Sequence, residues 1–196
     1  MAGLKQSEII IGEGITEKYY FTSLRDILVI KPASVRLKPY NMEELGKAIR
    51  DYSKMGYTKI HCLIDMDNKV GNQAMMAKYR KLKQTYNGKT VSGTDCEVKF
   101  YESHPSIELF FSYYFEYSTA ENTNDGLKKK LHNKCGYDTS EKYLSKPSLH
   151  GRFVEQGGCL KDAISNAKMS VNVRENNNYN CSYTEVGELI DYLGVK

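Results

Sequence analysis

Short apolar runs alternate with stretches of helical periodicity along the first hundred or so residues, and this alternation restricts the chain to few folds. Ser7–Gly12 is a β-branched run ended by glycine and reads as a buried strand. Ile15–Leu28 carries Tyr19, Tyr20, Leu24, Ile27 and Leu28 at helical spacing. Ser34–Leu37 reads as a second strand. Asn41 is placed to cap a helix from Met42 to about Met55, which Gly56 ends. Thr58–Ile64 reads as a third strand, Asn72–Tyr86 as a basic helix, and Glu97–Tyr101 as a fourth strand with Val98 and Phe100 alternating with polar neighbours. Strands separated by helices pair in parallel through right-handed crossovers. The expected fold is therefore α/β, a mostly parallel sheet of about four strands flanked by helices. In such sheets the site lies at the carboxyl ends of the strands.

Beyond about residue 104 the character changes. Pro105–Tyr117 is strongly aromatic and predicts a buried helix, whereas Glu121–His150 is polar, lysine-rich and expected to be mostly loop. Cys159–Met169 reads as a helix, Asn176–Asn178 as a loop, and Tyr183–Leu193 as a closing amphipathic helix. Residues 1–118 are thus expected to form the α/β core, and residues 119–196 a mostly helical extension packed on it as one unit.

The formal net charge of +4 permits a polyanionic partner without demanding one. The five cysteines are well separated and form no CxxC pair, which argues against a zinc knuckle or a disulfide framework. No apolar run approaches the ~20 residues that span a bilayer, and no N-terminal stretch has signal-peptide character, so a cytoplasmic protein is expected. The absence of a P-loop argues against ATP hydrolysis by the chain itself, and no Ser-His-Asp set is apparent.

Acidic residues fall where the strands should end. Glu13 lies within Gly12-Glu13-Gly14 after the first strand, and its glycines suit a tight turn and a close ligand. Glu17, four residues on, shares the first helical turn. Asp65 and Asp67 follow the third strand two residues apart, so they are expected to project to the same side. Glu108 opens the aromatic helix. Each has an ordinary structural reading, as a helix start, a strand-end turn or a helix cap. Together they fall at one rim, where like charges repel unless a divalent cation separates them. Oxygen donors of this kind favour Mg²⁺ or Mn²⁺ over zinc. Glu13, Asp65 and Asp67 are therefore the candidate catalytic acids, with Glu13, Glu17, Asp65, Asp67 and Glu108 as metal ligands. His104 is placed either to bond a scissile phosphate or leaving group, or to serve structure alone.

From Asn68 to Thr94 there is no acidic residue, while Lys69, Lys78, Arg80, Lys81, Lys83 and Lys89 fall in that stretch. A basic helix next to a metal site can track a phosphate backbone; a solvated helix face would look the same. Lys128, Lys129 and Lys130, with Lys134, Lys142, Lys146 and Arg152, make a second, weaker basic region.

Three segments resemble the RloB-like family: Ile9-Ile10-Ile11-Gly12-Glu13-Gly14-Ile15-Thr16-Glu17-Lys18-Tyr19-Tyr20-Phe21, then Ile64-Asp65-Met66-Asp67, then Ser103-His104-Pro105-Ser106-Ile107-Glu108-Leu109-Phe110-Phe111. Tyr183-Thr184-Glu185-Val186, with Leu189 and Leu193, resembles the family's closing helix. The departures are His104 for the usual Asn, Ile107 for Phe and Phe110 for Trp. The resemblance implies a Toprim/Rossmann-like fold, with Glu13, Asp65 and Asp67 corresponding to the Toprim acids and Glu17 and Glu108 to the extra acids of OLD-type nucleases. It further implies a metal-dependent nuclease acting on DNA or RNA, an effector of bacterial phage defence gated by a partner ATPase of the ABC/AAA type, with a homodimer as a further expectation. Two other readings stay open, a non-catalytic module braced by metal that binds nucleic acid or the ATPase, and a nucleotidyl- or phosphotransferase using the same metals.

Overall fold

The computed structural model describes residues 7–37, 42–118, 120–176 and 181–196. Asn41, the expected helix cap, and Asn177 and Asn178 of the asparagine run lie outside them. The chain runs β1 (Glu8–Gly12), α1 (Ile15–Leu24), β2 (Ser34–Leu37), α2 (Met42–Lys54), β3 (Lys59–Asp65), α3 (Gln73–Tyr86), β4 (Lys89–Thr90), β5 (Glu97–His104) and α4 (Glu108–Ser112). It continues through α5 (Asn124–Cys135), α6 (Glu141–Leu144), α7 (Leu149–Glu155), α8 (Leu160–Asn176), β6 (Tyr183–Thr184) and α9 (Val186–Leu193).

The fold is α/β. Among the described residues six strands form one sheet of order β2-β1-β3-β5-β4, with β6 also on β5. The strands β2, β1, β3 and β5 are parallel, and β4 and β6 pair with β5 antiparallel. About four strands are expected from periodicity, and these are the four parallel ones. The two others span two residues each, too short for any periodicity to register.

Alternate residues of each strand feed two separate cores, because successive side chains point to opposite faces. Ile9 and Ile11 join Ile60, Cys62, Ile64, Val98 and Phe100 beneath α2 and α3. Ile10, Leu63 and Tyr101 face the other way, into a larger core shared with α1 and the helices after β5. Both faces being covered explains why the strands read as apolar runs. The second core takes side chains from Ile10 through Leu193, so the residues after 118 help to build it.

Several expectations need correction, among them the closing helix, which starts at Val186 because Tyr183 and Thr184 form β6. The first helix ends at Leu24, not Leu28. The aromatic segment holds only a short helix, Glu108–Ser112. The stretch Glu121–His150, expected to be mostly loop, forms α5 and α6 and begins α7, with Thr123, Ser140 and Ser148 as side-chain N-caps. Among the described residues no helix is long and apolar enough to cross a membrane.

Candidate metal and nucleic-acid site

The strands β1, β3 and β5 are neighbours and parallel, so their carboxyl ends form one rim. Glu13 leaves the end of β1, Asp65 is the last residue of β3, and Asp65 is paired in register with Ser103 of β5. Glu13 Oε1 accepts the backbone N–H of Asp65 at 3.2 Å, which ties the two strand ends together. Asp65 Oδ1 accepts the N–H of Ile107 at 3.1 Å, immediately before α4. Asp67 lies in the turn after β3, so it does not share a strand face with Asp65 as expected. Its Oδ1 accepts the Asn68 N–H at 2.6 Å and its Oδ2 the Asn124 amide at 3.0 Å. The turn itself is fastened to β5, since the N–H groups of Met66 and Asp67 both donate to the Pro105 carbonyl at 3.1 Å.

Glu17 is buried in the first turn of α1, and its Oε2 reaches back to the Gly14 N–H at 3.0 Å. The glycines serve this close approach. A Cβ on Gly12 would stand 2.7 Å from Glu17 Cβ, whereas Gly14, at φ −142, is extended rather than left-handed. Glu108 is buried and lies 2.7 Å from the Ser106 hydroxyl and 3.0 Å from the Tyr137 hydroxyl, which donates to it. Ser106 Oγ also lies 2.8 Å from Asn124 Oδ1, so Asn124 links the Asp67 and Glu108 sides.

Burial pushes the Asp65 carboxyl well above the ordinary carboxylate range, and the charges of Glu17, Glu13, Glu108 and Asp67 add to the shift in that order. The same desolvation raises Glu17 to about 8, with Glu108 and Glu13 acting in the same sense and the Gly14 N–H opposing. All five acids singled out in the sequence are thus close enough for Asp65 to feel the other four. One cation is already among them. Lys69 Nζ donates to Glu13 Oε1 at 3.1 Å and to the Asp65 carbonyl, from a side chain only 2% exposed. Among the described residues no three His, Cys, Asp or Glu side chains are already gathered as a metal-holding group. The donor set nevertheless suits a hard divalent cation, because it is all oxygen and its buried members repel one another.

The remaining sequence candidates separate. Lys69, expected on the basic surface, is an internal counter-ion of Glu13. Lys83 of α3 is bound to Glu102 in a buried network that includes Tyr79, Tyr183 and Arg174. Arg80 and Lys81 of α3 and Lys89 of β4 are exposed, as is Lys78, which pairs loosely with Glu43 at 3.7 Å. Arg152 of the second basic region is turned inward, its guanidinium 4.1 Å from the Tyr143 ring centre. His104, at the end of β5, keeps a buried Nδ1 with no hydrogen-bond partner, and burial lowers its pKa against the pull of Glu121 and Asp67. Asn124, Ser106 and Tyr137 were not legible as site residues. Ser106 lies inside a motif but has no distinguishing neighbour, and Asn124 and Tyr137 come from a segment without strong periodicity.

A family model described as RloB-like protein matches residues 9–193. The chain belongs to the RloB-like family. Nearly all the described sheet and helices fall within the match, as do the five acids of the rim and the closing helix α9. Neither curated proteins nor solved structures returned a match to this RloB-like chain.

Proposed function

We propose that this RloB-like chain is a metal-dependent nuclease that cuts phosphodiester bonds in DNA or RNA. The observation that carries this reading is the meeting of Glu13, Glu17, Asp65, Asp67 and Glu108 at one sheet rim, where the Asp65 carboxyl is raised by all the others. Carboxylates forced together in this way lower their mutual repulsion by sharing a cation. Glu13, Asp65 and Asp67, with Glu17 and Glu108, would hold Mg²⁺ or Mn²⁺, which when bound polarises a phosphate oxygen and makes water a nucleophile near neutral pH. The protein's own part is to orient those oxygens. Ile107 N–H fixes Asp65, Asn124 fixes Asp67, and Ser106 and Tyr137 fix Glu108. Exposed Arg80, Lys78 and Lys81 offer the nearby phosphate backbone a positive helix face. The resemblance to Toprim and OLD-type nucleases, and to phage-defence effectors gated by an ABC/AAA-type ATPase, supports the same reading.

The experiment is incubation of purified protein with end-labelled DNA and RNA in Mg²⁺, Mn²⁺ or EDTA, alone and with a partner ATPase encoded beside it, in parallel with Asp65→Asn. Cleavage that requires both the metal and Asp65 supports the nuclease. A second reading, a non-catalytic binding module, is favoured by the ammonium of Lys69 already neutralising Glu13. It predicts nucleic-acid or ATPase binding that Asp65→Asn leaves intact, with no cleavage under any condition.

A further inference from the structure

Next to the carboxylate rim, on the α3 side of β3 and β5, the surface opens into a groove of about 870 Å³. That is within the usual range for small-molecule sites. Its walls combine two chemistries. Met66, Met76 and Ala77 supply an apolar side, while Arg80 is exposed on the same helix and Lys83, although bound to Glu102, keeps a third of its side chain in solvent. Glu102 also lines the groove and is paired with Lys83, so the positive charge at the lip is chiefly that of Arg80. His104 also lines the groove, and its buried Nδ1 has no hydrogen-bond partner. Buried polar atoms are nearly always paired, so an unmet one just behind a groove leaves the histidine able to turn toward a ligand atom.

We propose that the groove holds one unpaired nucleotide of a single strand, its base against Met76 and Ala77 within reach of His104, its flanking phosphates on Arg80 and the exposed part of Lys83. Single-strand binders combine side chains that pack on base faces, most often aromatic ones, with cations along the backbone; here Met76 and Ala77 take the first part and Arg80 the second. A duplex keeps its base faces stacked inside and cannot present one to this wall. Met66 lies between Asp65 and Asp67 in the chain, so a strand seated here passes its backbone onto the carboxylate rim. The inference rests on the nuclease reading only for that last relation; binding in the groove does not require cleavage.

The test is fluorescence anisotropy in EDTA with labelled oligothymidylate and oligouridylate, and with a duplex of the same length. Ala77→Trp fills the groove. Ala74→Trp, also exposed on α3 but away from the groove lining, is the control, and melting curves confirm that both fold. Single strands are expected to bind the wild type more tightly than the duplex, with about a tenfold or greater loss in Ala77→Trp and little change in Ala74→Trp. Should Ala77→Trp not fold, Gln73→Trp, at another exposed position of the groove lining, takes its place, with weakened single-strand binding expected. Equal affinity of wild type and groove variant, no binding of single strands, or preference for the duplex overturns the proposal. The two readings fail separately. Groove-dependent binding without cleavage in any metal sinks the nuclease and keeps the groove. Asp65-dependent cleavage with binding indifferent to Ala77→Trp and Gln73→Trp does the reverse.

Discussion

The ammonium of Lys69 donates to Glu13 Oε1 at 3.1 Å from a side chain that is almost wholly buried. A cation bound into the protein therefore stands beside the acid that opens the site, and a divalent ion arriving there competes with it. Lys69→Met removes the competitor and leaves Glu13 facing the other acids alone. Without metal the variant should be less stable by about 2 kcal/mol, below the cost of breaking a fully buried pair because Glu13 is partly exposed. Its melting temperature should rise more steeply with Mn²⁺ than that of the wild type, and calorimetry should show tighter Mn²⁺ binding. Unchanged affinity would mean that Lys69 and the metal do not share Glu13.

Glu17 gives the site a pH signature. Its carboxyl titrates near 8 in the folded chain, above its value in an unfolded one. The folded state then holds a proton that the unfolded state has already released, so this stability is complete below about pH 4.3, the unfolded value, and is lost as pH rises through 8. Glu17→Gln keeps an acceptor for the Gly14 N–H but does not ionise. In EDTA its melting temperature should exceed that of the wild type by a margin that widens from pH 5 to pH 8, roughly 2–4 °C for each kcal/mol at this chain length. Taking the difference between the two proteins cancels groups that Glu17 does not influence, including His104, whose lowered pKa acts in the opposite sense, while Asp65, raised in part by Glu17, adds to the margin in the same direction. A margin that stays flat with pH would show that Glu17 ionises normally.

Asn124 holds Asp67 and sits beside Ser106, and it is the clearest supporting residue contributed by the region after β5. Asn124→Ala should reduce Mn²⁺ affinity and any cleavage by about 10–100-fold, the usual effect of removing a group that orients a ligand. The loss in stability should be only about 1 kcal/mol. Isothermal titration and a denaturation curve on the same preparation separate the two effects, and equal wild-type affinity would remove Asn124 from the site.

Glu102 accepts the hydroxyls of Tyr79 and Tyr183 at 2.6 and 2.7 Å and pairs with Lys83 and Arg174. Those partners hold its carboxyl below the usual range despite burial. Glu102→Leu leaves two buried tyrosine hydroxyls and the half-buried Lys83 without their acceptor, while Arg174 keeps Glu185, and should cost about 3 kcal/mol in urea unfolding. A change under about 1 kcal/mol would mean that Glu185, which also binds Arg174, carries the network alone.

The parts legible in the sequence were those with a strong local signal. Ile9–Ile11 and Ile60–Ile64 reveal buried parallel strands because both faces are covered, and Asn72 marks the start of α3 because a side-chain cap is a short-range device. The acids were legible because Glu13 and Asp65 stand at strand ends, where the topology brings distant positions together. The helices of 124–155 were not. Their inward positions are few, such as Leu127 and Leu131, and they depend on a core assembled from far along the chain. Lys69 misled for a related reason, since burial of a lysine depends on a partner, here Glu13, that is 56 residues away. Asn124 and Tyr137 had no local mark at all, because what makes them part of the site is the identity of the acid each one touches.

The pairing of Ser103 and His104 with Thr184 and Tyr183 has a further consequence for synthesis of the protein. The strand end carrying His104 finds its neighbour only after a further 81 residues have been made, and residues 27–30 are likewise joined by backbone bonds to residues 193–196. Both the end of β5 and the segment after α1 are thus tied down by residues 183–196, so the sheet beside the rim is complete only once that segment has been made.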